Sequence, residues 1–399
     1  MKPSFGLVWP LLFMILLTWI GTAVGQDQTA SLTVGHTVKL QSRILKQLRS
    51  LRVSKPNGYE DESEHYPVLY VLDGESNFQF TAAMARFLAD NDRIPGMIVV
   101  GVDSGNVARR THDLTPPTKN ETENRFSPRN GGADQFLTFM SGELLPFVER
   151  NYRTRPYRIL VGHSFGGLFA LYALASKPNL FNAYIAIDPT AGWNNGEEIS
   201  RLKRLLSDSK DLHTDLFITA ANDLGKATPE VQQLADVLEA NKATDLRWKF
   251  EWMKEETHGT IPLIGTYSGL CAIFDGWYLA DPLRVFDEGG LEAIDKHFRD
   301  GGKRAGYQRT TPPFTLSLVV HGLIRRGDLD TATAVLLRDP KAYPPPWNQL
   351  DALAGAYLAR GDKDKAVRYY SLSLQENPGN DQARQRLKEL GTRPGPSIK

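Results

Sequence analysis

The sequence predicts an α/β domain with a mostly parallel, doubly wound sheet, followed by a smaller all-helical region. Between about residues 35 and 280, short continuous apolar runs alternate with helical stretches. Such runs are typical of strands that are covered on both faces, as in a parallel sheet. The C-terminal third has a different pattern, in which one helical unit recurs at a fixed offset. A chain of 399 residues is long enough for both regions.

The strands follow from the apolar runs and the helices from the stretches between them. His36–Val53 shows partial alternation and predicts an opening hairpin. Six apolar runs predict further strands at Tyr66–Leu72, Ile94–Val102, Tyr157–Val161, Tyr184–Ile187, Leu216–Ala220 and Trp248–Met253. Helices are expected after a predicted N-cap at Asp134, over Gly166–Ser176 and over Pro229–Ala240. This alternation is the signature of a doubly wound sheet.

Composition excludes several classes of function. The net charge is only +1, so the chain has no electrostatic footprint for nucleic acid. A hydrophobic fraction of 41% excludes a disordered chain. The one cysteine, Cys271, allows neither an intrachain disulfide nor a zinc site built from cysteines.

The N-terminus predicts a secretory signal over residues 1–25. Lys2 precedes an apolar run from Leu7 to Ile20, and small residues end the segment at Gly25. The run is short for a membrane-spanning helix, although an uncleaved anchor is the alternative. No later stretch of the sequence could span a membrane. We therefore expect an exported protein, periplasmic or secreted, that is not membrane-bound after cleavage.

A repeat defines the C-terminal region. Arg326–Ala332 recurs as Arg360–Ala366 at an offset of 34 residues, the period of the tetratricopeptide repeat. The alternative is a chance match within ordinary helical hairpins. We predict an α/β domain over 26–281, a linker over 282–313, tetratricopeptide-like helices over 314–392 and a flexible tail over 393–399. So few repeats rarely stand alone, so these helices are expected to pack on the α/β domain, on a protein partner or on a second copy.

Gly162-His163-Ser164-Phe165-Gly166 is a G-x-S-x-G motif in the setting that gives it chemical meaning. An apolar strand precedes it and an apolar helix follows it. On such a strand–turn–helix the serine is held above the sheet as a nucleophile, which is the arrangement of the α/β-hydrolase fold. The backbone N–H of Phe165 then points toward an oxyanion. We predict Ser164 as the nucleophile.

The catalytic partners of such a serine follow it in the order acid, then histidine. His258 follows the last predicted strand and is the predicted base. The acid is expected just after the strand Leu216–Ala220, which favours Asp223, with Glu230 and Glu256 as alternatives. The histidine takes the serine proton, and the acid fixes the histidine tautomer.

A second oxyanion donor should come from the loop after an early strand. Gly74 and Glu75 follow the strand Tyr66–Leu72 and are the candidates, although Gly74 could serve only as a turn glycine. The triad generates its own nucleophile, so no metal or organic cofactor is implied.

Several segments together resemble the esterase-D-like esterases, in particular their siderophore and enterochelin esterase branch. Tyr66–Gly74 is similar to "YPVLYLLDG", Arg110–Pro116 to "R-x-x-D-x-T-P" and Gly162–Gly167 to "GHSxGG". Phe181–Thr190 is similar to "F-x-x-Y-I-A-x-S-P-S", with Asp188 in place of the first serine of "SPS". His258 stands where that branch has its catalytic histidine.

The resemblance implies an α/β-hydrolase fold and a serine esterase that acts on a small-molecule ester, of the siderophore or carbohydrate-linked kind. Glu75, Arg110 and His163 lie in or beside these motifs and are the predicted substrate-binding residues. Arg109, Arg110, Arg125 and Arg129 could hold an acidic substrate or could line a solvated loop. Two other functions remain open: acyl transfer with the same triad, and a non-catalytic scaffold that binds a partner through the repeat helices.

Overall fold

The computed structural model describes residues 33–391 except 62, 210–211, 242–244 and 340–342. The predicted signal over 1–25 and the predicted tail over 393–399 lie outside the described residues. Among the helices that are described, none is long and apolar enough to cross a membrane.

Within the described residues, eight strands form one sheet in the order β1-β2-β4-β3-β5-β6-β7-β8. The predicted hairpin is confirmed, because β1 and β2 pair antiparallel. β2 also pairs antiparallel with β4, and every pair from β4 through β8 is parallel. The strands are β1 (His36–Ser42), β2 (Gln47–Ser54), β3 (Tyr66–Leu72), β4 (Ile98–Val102), β5 (Thr154–His163), β6 (Ala183–Ile187), β7 (Asp215–Ala220) and β8 (Arg247–Trp252).

Helices follow the strands and then continue alone to the C-terminus. Those of the α/β part are α1 (Gly74–Asp90), α2 (Val107–Leu114), α3 (Glu121–Phe126), α4 (Ala133–Phe139), α5 (Leu145–Asn151), α6 (Phe165–Ser176), α7 (Trp193–Asp208), α8 (Pro229–Ala240) and α9 (Ile261–Ile273). A π-helical turn, Met140–Leu144, joins α4 to α5. The later helices are α10 (Pro282–Arg304), α11 (Pro313–Arg325), α12 (Leu329–Leu336), α13 (Trp347–Ala359), α14 (Lys363–Glu376) and α15 (Asp381–Glu389).

The apolar runs are continuous because helices cover both faces of the sheet. In β5, Leu160 packs in one buried cluster with Phe169 of α6. Its neighbours Ile159 and Val161 pack in a second cluster, which includes Phe78 of α1. Since side chains alternate along a strand, each face needs its own apolar residues. The predicted fold class, an α/β-hydrolase with a C-terminal helical region, is therefore confirmed.

Two local predictions were wrong. Strand β4 begins at Ile98 and not at Ile94. Pro95 has no N–H to donate to a neighbouring strand, so the strand does not extend without interruption to Ile94. The helix predicted to be capped by Asp134 has Gly132 as its N-cap. Asp134 lies inside the first turn, where its negative charge interacts favourably with the helix dipole.

The segment predicted as a linker over 282–313 is mostly helical. It contains α10, which bends at Gly289–Gly290. Ile294 and Phe298 of α10 are buried in the same apolar cluster as residues of α11 to α15. This segment therefore belongs to the helical region and does not merely connect to it.

The repeated segments have the same local structure. Gly327 and Gly361 both have positive φ, 82° and 87°. Asp328 and Asp362 then cap the next helix, each accepting a hydrogen bond from the backbone N–H three residues later. Two helix–turn–helix units with the same turn agree with the sequence repeat, and the tetratricopeptide assignment stays a prediction.

Candidate active site

The carboxyl ends of the parallel strands bring the candidate residues to one edge of the sheet. Asp73 directly follows β3, Ser164 follows β5 and Asp188 follows β6. These three strands are adjacent in the order of the sheet. His258 lies between β8 and α9. A mostly parallel sheet has its ligand sites at this edge, because the loops after its strands converge there.

Ser164 has the strained backbone expected of a nucleophile on a sharp turn. Its φ is 59° and its ψ is −115°. The Ser164 N–H donates to the carbonyl of Ile187 at 3.0 Å, and its carbonyl accepts from Leu168 N–H at 2.9 Å. A Cβ on Gly162 would lie 2.1 Å from the carbonyl oxygen of Gly166, so the turn requires a glycine at 162. These contacts keep Ser164 in a conformation that it would otherwise avoid.

The imidazole of His258 is held by Asp188. The distance from His258 Nδ1 to Asp188 Oδ2 is 2.6 Å. The other oxygen, Oδ1, accepts from the N–H of Ala221 at 3.1 Å. Asp188 N–H donates to the Thr219 carbonyl at 2.9 Å. Asp188 is only 6% exposed, whereas the His258 side chain is 58% exposed. The buried carboxylate therefore orients a histidine whose other ring nitrogen is left for chemistry.

The choice of Asp223 as the acid is corrected by this contact. Asp223 is exposed, and its backbone forms a bridge with Lys226 in the loop after β7. The alternative Glu230 lies in the first turn of α8, and Glu256 accepts a backbone hydrogen bond from Asn222 through its carbonyl. The carboxylate that contacts His258 follows β6, one strand earlier than predicted. Since β6 is adjacent to the strand that carries the serine, its end lies closer to the elbow.

His163 packs against His258. The ring centroids are 4.4 Å apart and the planes are inclined by 44°. Burial, together with the neighbouring charges of His258 and Arg110, lowers the pKa of His163 to about 4. Its Nε2 is buried and has no hydrogen-bond partner among the described residues. The predicted substrate-binding residue His163 thus lies against the predicted base as a neutral ring.

The two predicted oxyanion donors, the N–H groups of Gly74 and Phe165, each lie at the start of a helix. Gly74 is the first residue of α1, and Phe165 is the first residue of α6. The first N–H groups of a helix have no acceptor within the helix, and they lie at the positive end of its dipole. A Cβ on Gly74 would lie 2.8 Å from Asp103 Oδ1 and from the Gly101 carbonyl carbon, so Gly74 is packed too closely for any side chain.

Asp73 links the start of α1 to the elbow. It is 7% exposed and has a φ of 54°. Arg110 binds both of its carboxylate oxygens at 2.8 Å, and Ser104 Oγ donates to Oδ1 at 2.7 Å. Arg110 Nη2 also donates to the carbonyl of His163 at 3.2 Å. The guanidinium therefore connects the loop after β3 to the loop after β5.

Glu75 supports the neighbouring loop. Its two carboxylate oxygens accept from the N–H groups of Ser104 and Gly105, at 2.9 and 3.0 Å. Both Glu75 and Arg110 are thus engaged in holding loops. Their predicted contacts with substrate stay predictions.

Sequence reasoning missed the roles of Asp188 and Asp73. Each directly follows a buried strand, at the edge where the serine lies. This position in the sequence could have identified them as candidates. Asp188 also stood out as the departure from the "SPS" pattern. The order of strands within the sheet, which the sequence does not state, decides which of the acidic residues at this edge reaches His258.

A basic cavity opens at the same edge. Its volume is about 410 Å³, and Arg109, Arg129 and His112 are among its lining residues. Asp113 in its wall is already engaged by Arg49 at 2.6 Å and by His112 at 3.1 Å. Within the part of the chain that the structure describes, neither Arg109 nor Arg129 forms an ion pair. The cavity therefore presents two uncompensated guanidinium groups.

Several curated relatives with similar sequences are siderophore esterases. The chain is 36% identical over 154 residues to a siderophore enterobactin esterase of Emericella nidulans, covering 35% of this chain and 51% of that protein. It is 33% identical over 169 residues to the ferri-bacillibactin esterase BesA of Bacillus subtilis, covering 39% of this chain and 58% of that protein. The chain thus spans only about half the length of these curated relatives.

Solved structures extend the similarity. An IroE-like serine hydrolase from Shewanella oneidensis is 29% identical, with a TM-score of 0.59, and the match covers 75% of this chain and 96% of that one. The BES protein from Bacillus cereus is 27% identical, with a TM-score of 0.53, and the match covers 62% of this chain and 98% of that one. Residues 42–259, more than half of the chain, match the sequence profile described as "Putative esterase". The chain belongs to this esterase family.

Proposed function

We propose that the protein is a serine hydrolase that cleaves a carboxylic ester through Ser164, His258 and Asp188. The observation that carries the proposal is the 2.6 Å hydrogen bond between His258 Nδ1 and the buried Asp188, at the same sheet edge as the strained Ser164. A histidine that donates from Nδ1 to a carboxylate has Nε2 free to accept a proton. Membership of the esterase family supports the same reaction.

In the first half of the reaction, His258 Nε2 takes the hydroxyl proton of Ser164 while Oγ attacks the ester carbonyl. The C–O bond to the alcohol then breaks, and His258 returns the proton to the leaving alkoxide. The product is an acyl-enzyme and a free alcohol. In the second half, His258 takes a proton from a water that attacks the acyl carbon. The bond from this carbon to Ser164 Oγ then breaks, His258 returns the proton to Oγ, and the carboxylic acid leaves. Asp188 keeps its charge throughout and stabilises the imidazolium.

The negative charge on the tetrahedral intermediate requires donors at fixed positions. The proposed donors are the N–H groups of Phe165 and Gly74. Each lies at the start of a helix, where its position does not depend on a side-chain rotamer. Helix α1 is held in place relative to the elbow by the network of Asp73, Arg110 and Ser104. This network supports a preformed oxyanion site.

For the substrate we propose an acidic ester of the siderophore class. The relatives named above act on such compounds, and the uncompensated Arg109 and Arg129 suit a ligand that carries catecholate or carboxylate groups. A neutral aryl ester would react at Ser164 without using this cavity. Hydrolysis of the aryl ester therefore reports on the reaction at Ser164 alone, whereas hydrolysis of the siderophore ester also reports on binding in the cavity.

The chemistry is tested by labelling with a fluorophosphonate probe and by hydrolysis of p-nitrophenyl acetate. The wild type should be labelled at Ser164 and should hydrolyse the ester, and Ser164→Ala should lose both, by about 10⁴-fold or more in rate. Ser176→Ala, at the far end of α6, is the matched control and should retain both. An unlabelled wild type would instead favour a non-catalytic scaffold.

Added sugars or alcohols test acyl transfer, which would give new esters in place of the free acid.

The substrate class is tested by kinetics with enterobactin. Arg109→Ala combined with Arg129→Ala should raise KM for enterobactin by about tenfold or more, in line with the loss of charge-assisted contacts, and leave p-nitrophenyl acetate unaffected. Arg125→Ala, on the exposed α3, should change neither. Equal kinetics of the double variant and the wild type toward enterobactin would exclude this cavity from substrate recognition.

We also propose that the protein is exported, on the strength of the apolar run that follows Lys2. Cell fractionation tests this proposal. Replacing Leu12 and Leu16 by Asp should leave the chain inside the cell, because the run would no longer be apolar.

A further inference from the structure

Strand β8 leaves one edge of the sheet open. It is the terminal strand in the sheet order, and no strand among the described residues pairs with its outer edge. Arg247 N–H donates to the Thr214 carbonyl and Met253 N–H to the Ala220 carbonyl, so the odd-numbered residues turn their backbone groups toward β7. Since these directions alternate along a strand, Trp248, Phe250 and Trp252 turn theirs outward. An open row of donors and acceptors is a template for another strand.

The side chains of β8 are symmetrical about Phe250. Aromatic residues at 248, 250 and 252 lie on one face, and Lys249 and Glu251 lie on the other. The Lys249 and Glu251 side chains are 60% and 38% exposed, and their charged groups are 3.4 Å apart. Trp252 is 41% exposed. A cavity of about 550 Å³ also opens beside the strand, bordered by Leu246, Trp248 and Phe250.

The opposite edge of the sheet differs. Its terminal strand, β1, has Lys39 as the middle residue. Antiparallel pairing of two β1 strands about their centre would oppose two lysines, and lysine is a common means of keeping edge strands apart. The two edges are therefore not equivalent, and only β8 has complementary charges on either side of its centre.

We propose that two copies of the chain associate through antiparallel pairing of their β8 strands, about a two-fold axis at Phe250. In this register each Phe250 N–H donates to the Phe250 carbonyl of the second copy, as the outward direction of its backbone groups allows. Lys249 lies opposite Glu251 of the second copy, and Trp248 lies opposite Trp252. Because the axis is two-fold, each of these contacts occurs twice. The partner at this edge is thus a second copy of the chain, and the Lys249–Glu251 pairs fix the register of the two strands.

The oligomeric state of the full mature chain tests the proposal, measured by sedimentation and by light scattering. The wild type should be a dimer. Lys249→Glu should oppose two carboxylates at each contact, and Glu251→Lys should oppose two ammonium groups, so each single variant should dissociate at least tenfold more readily. Lys39→Glu on β1 is the matched control and should stay dimeric. Circular dichroism verifies that the variants are folded.

Mixing the two single variants makes the test specific. A heterodimer of Lys249→Glu with Glu251→Lys has opposite charges at both contacts, so the mixture should recover the dimer mass, and so should the double variant. In a Cys271→Ser background, Phe250→Cys should form a disulfide-linked dimer under mild oxidation, whereas Lys39→Cys should not. A monomeric wild type, a dimer that is insensitive to charge reversal, or a mixture that fails to recover the dimer would each overturn the proposal.

Discussion

The rings of His163 and His258 lie with their centroids 4.4 Å apart, so the residue before the proposed nucleophile packs against the residue proposed as its base. The two histidines differ in environment. His163 is largely buried and its Nε2 lacks a partner in the described residues, whereas the His258 ring is more than half exposed and bound to Asp188. The ring bound to Asp188 is the one proposed to exchange protons, and burial keeps the His163 ring beside it neutral.

The first prediction concerns pH and stability. Burial lowers the pKa of His163 to about 4, below the value of about 6.5 expected in the unfolded chain. Between these two values the unfolded chain binds more protons at this residue, so the free energy of unfolding should fall as the pH falls. The full difference is on the order of 3 kcal/mol and is reached below pH 4. His163→Gln should lack this component.

Thermal unfolding of both proteins at pH 7 and at pH 4.5 measures this effect. The wild type should lose more thermal stability than His163→Gln over this range. Parallel losses in the two proteins would show that His163 does not carry the effect.

The second prediction concerns the acid. Asp188→Asn keeps the shape of the side chain but removes the charge that stabilises the imidazolium and fixes its tautomer. We expect kcat for p-nitrophenyl acetate to fall by about 10³- to 10⁴-fold. Asp223→Asn is the matched control, because Asp223 is exposed in the next loop along the sheet, and it should keep nearly full activity. The reverse outcome would restore Asp223 as the acid.

The third prediction concerns the network around Asp73. Arg110→Lys cannot bind both oxygens of Asp73 and also reach the His163 carbonyl, since lysine has no fork of donors. The Gly74 N–H should then lose its alignment with the oxyanion. We expect kcat for p-nitrophenyl acetate to fall by about 10- to 100-fold with little change in KM, because the ground state makes no use of this donor.

A comparison with Arg247→Lys controls for a general loss of stability. Arg247 makes a similar forked contact with Asp215, at the amino end of β7 and away from the site. This variant should keep its kcat. A rise in KM alone in Arg110→Lys would point to direct substrate binding, the role predicted from the sequence.

The fourth prediction concerns the glycines of the elbow. Gly162→Ala would place a Cβ 2.1 Å from the Gly166 carbonyl oxygen, a backbone atom that cannot move without displacing the start of α6. We expect a loss of about 1–3 kcal/mol in the free energy of unfolding, together with loss of activity. At Gly166 the nearest contact of a Cβ is 3.5 Å, so Gly166→Ala should fold with nearly unchanged stability. Denaturant unfolding of the two variants measures the contrast.

The sequence by itself determined the α/β class, the nucleophile elbow and the catalytic histidine as candidates. These features are local: apolar runs such as Tyr66–Leu72 report burial on both faces, and the glycines around Ser164 report a tight turn. The repeated Gly-Asp turn likewise follows from residues that are close in sequence. Each of these patterns can therefore be interpreted without knowing which strands are neighbours in the sheet.

Only the tertiary structure decided which carboxylate meets His258. Asp188 and His258 are 70 residues apart, and Asp73 and Arg110 are 37 apart. Their contacts depend on the order in which β3, β5 and β6 lie side by side and on the loops that close over them. Asp223 and Asp188 both follow buried strands and look equivalent along the chain. The sheet places β6 directly beside the serine's strand, and this adjacency selects Asp188.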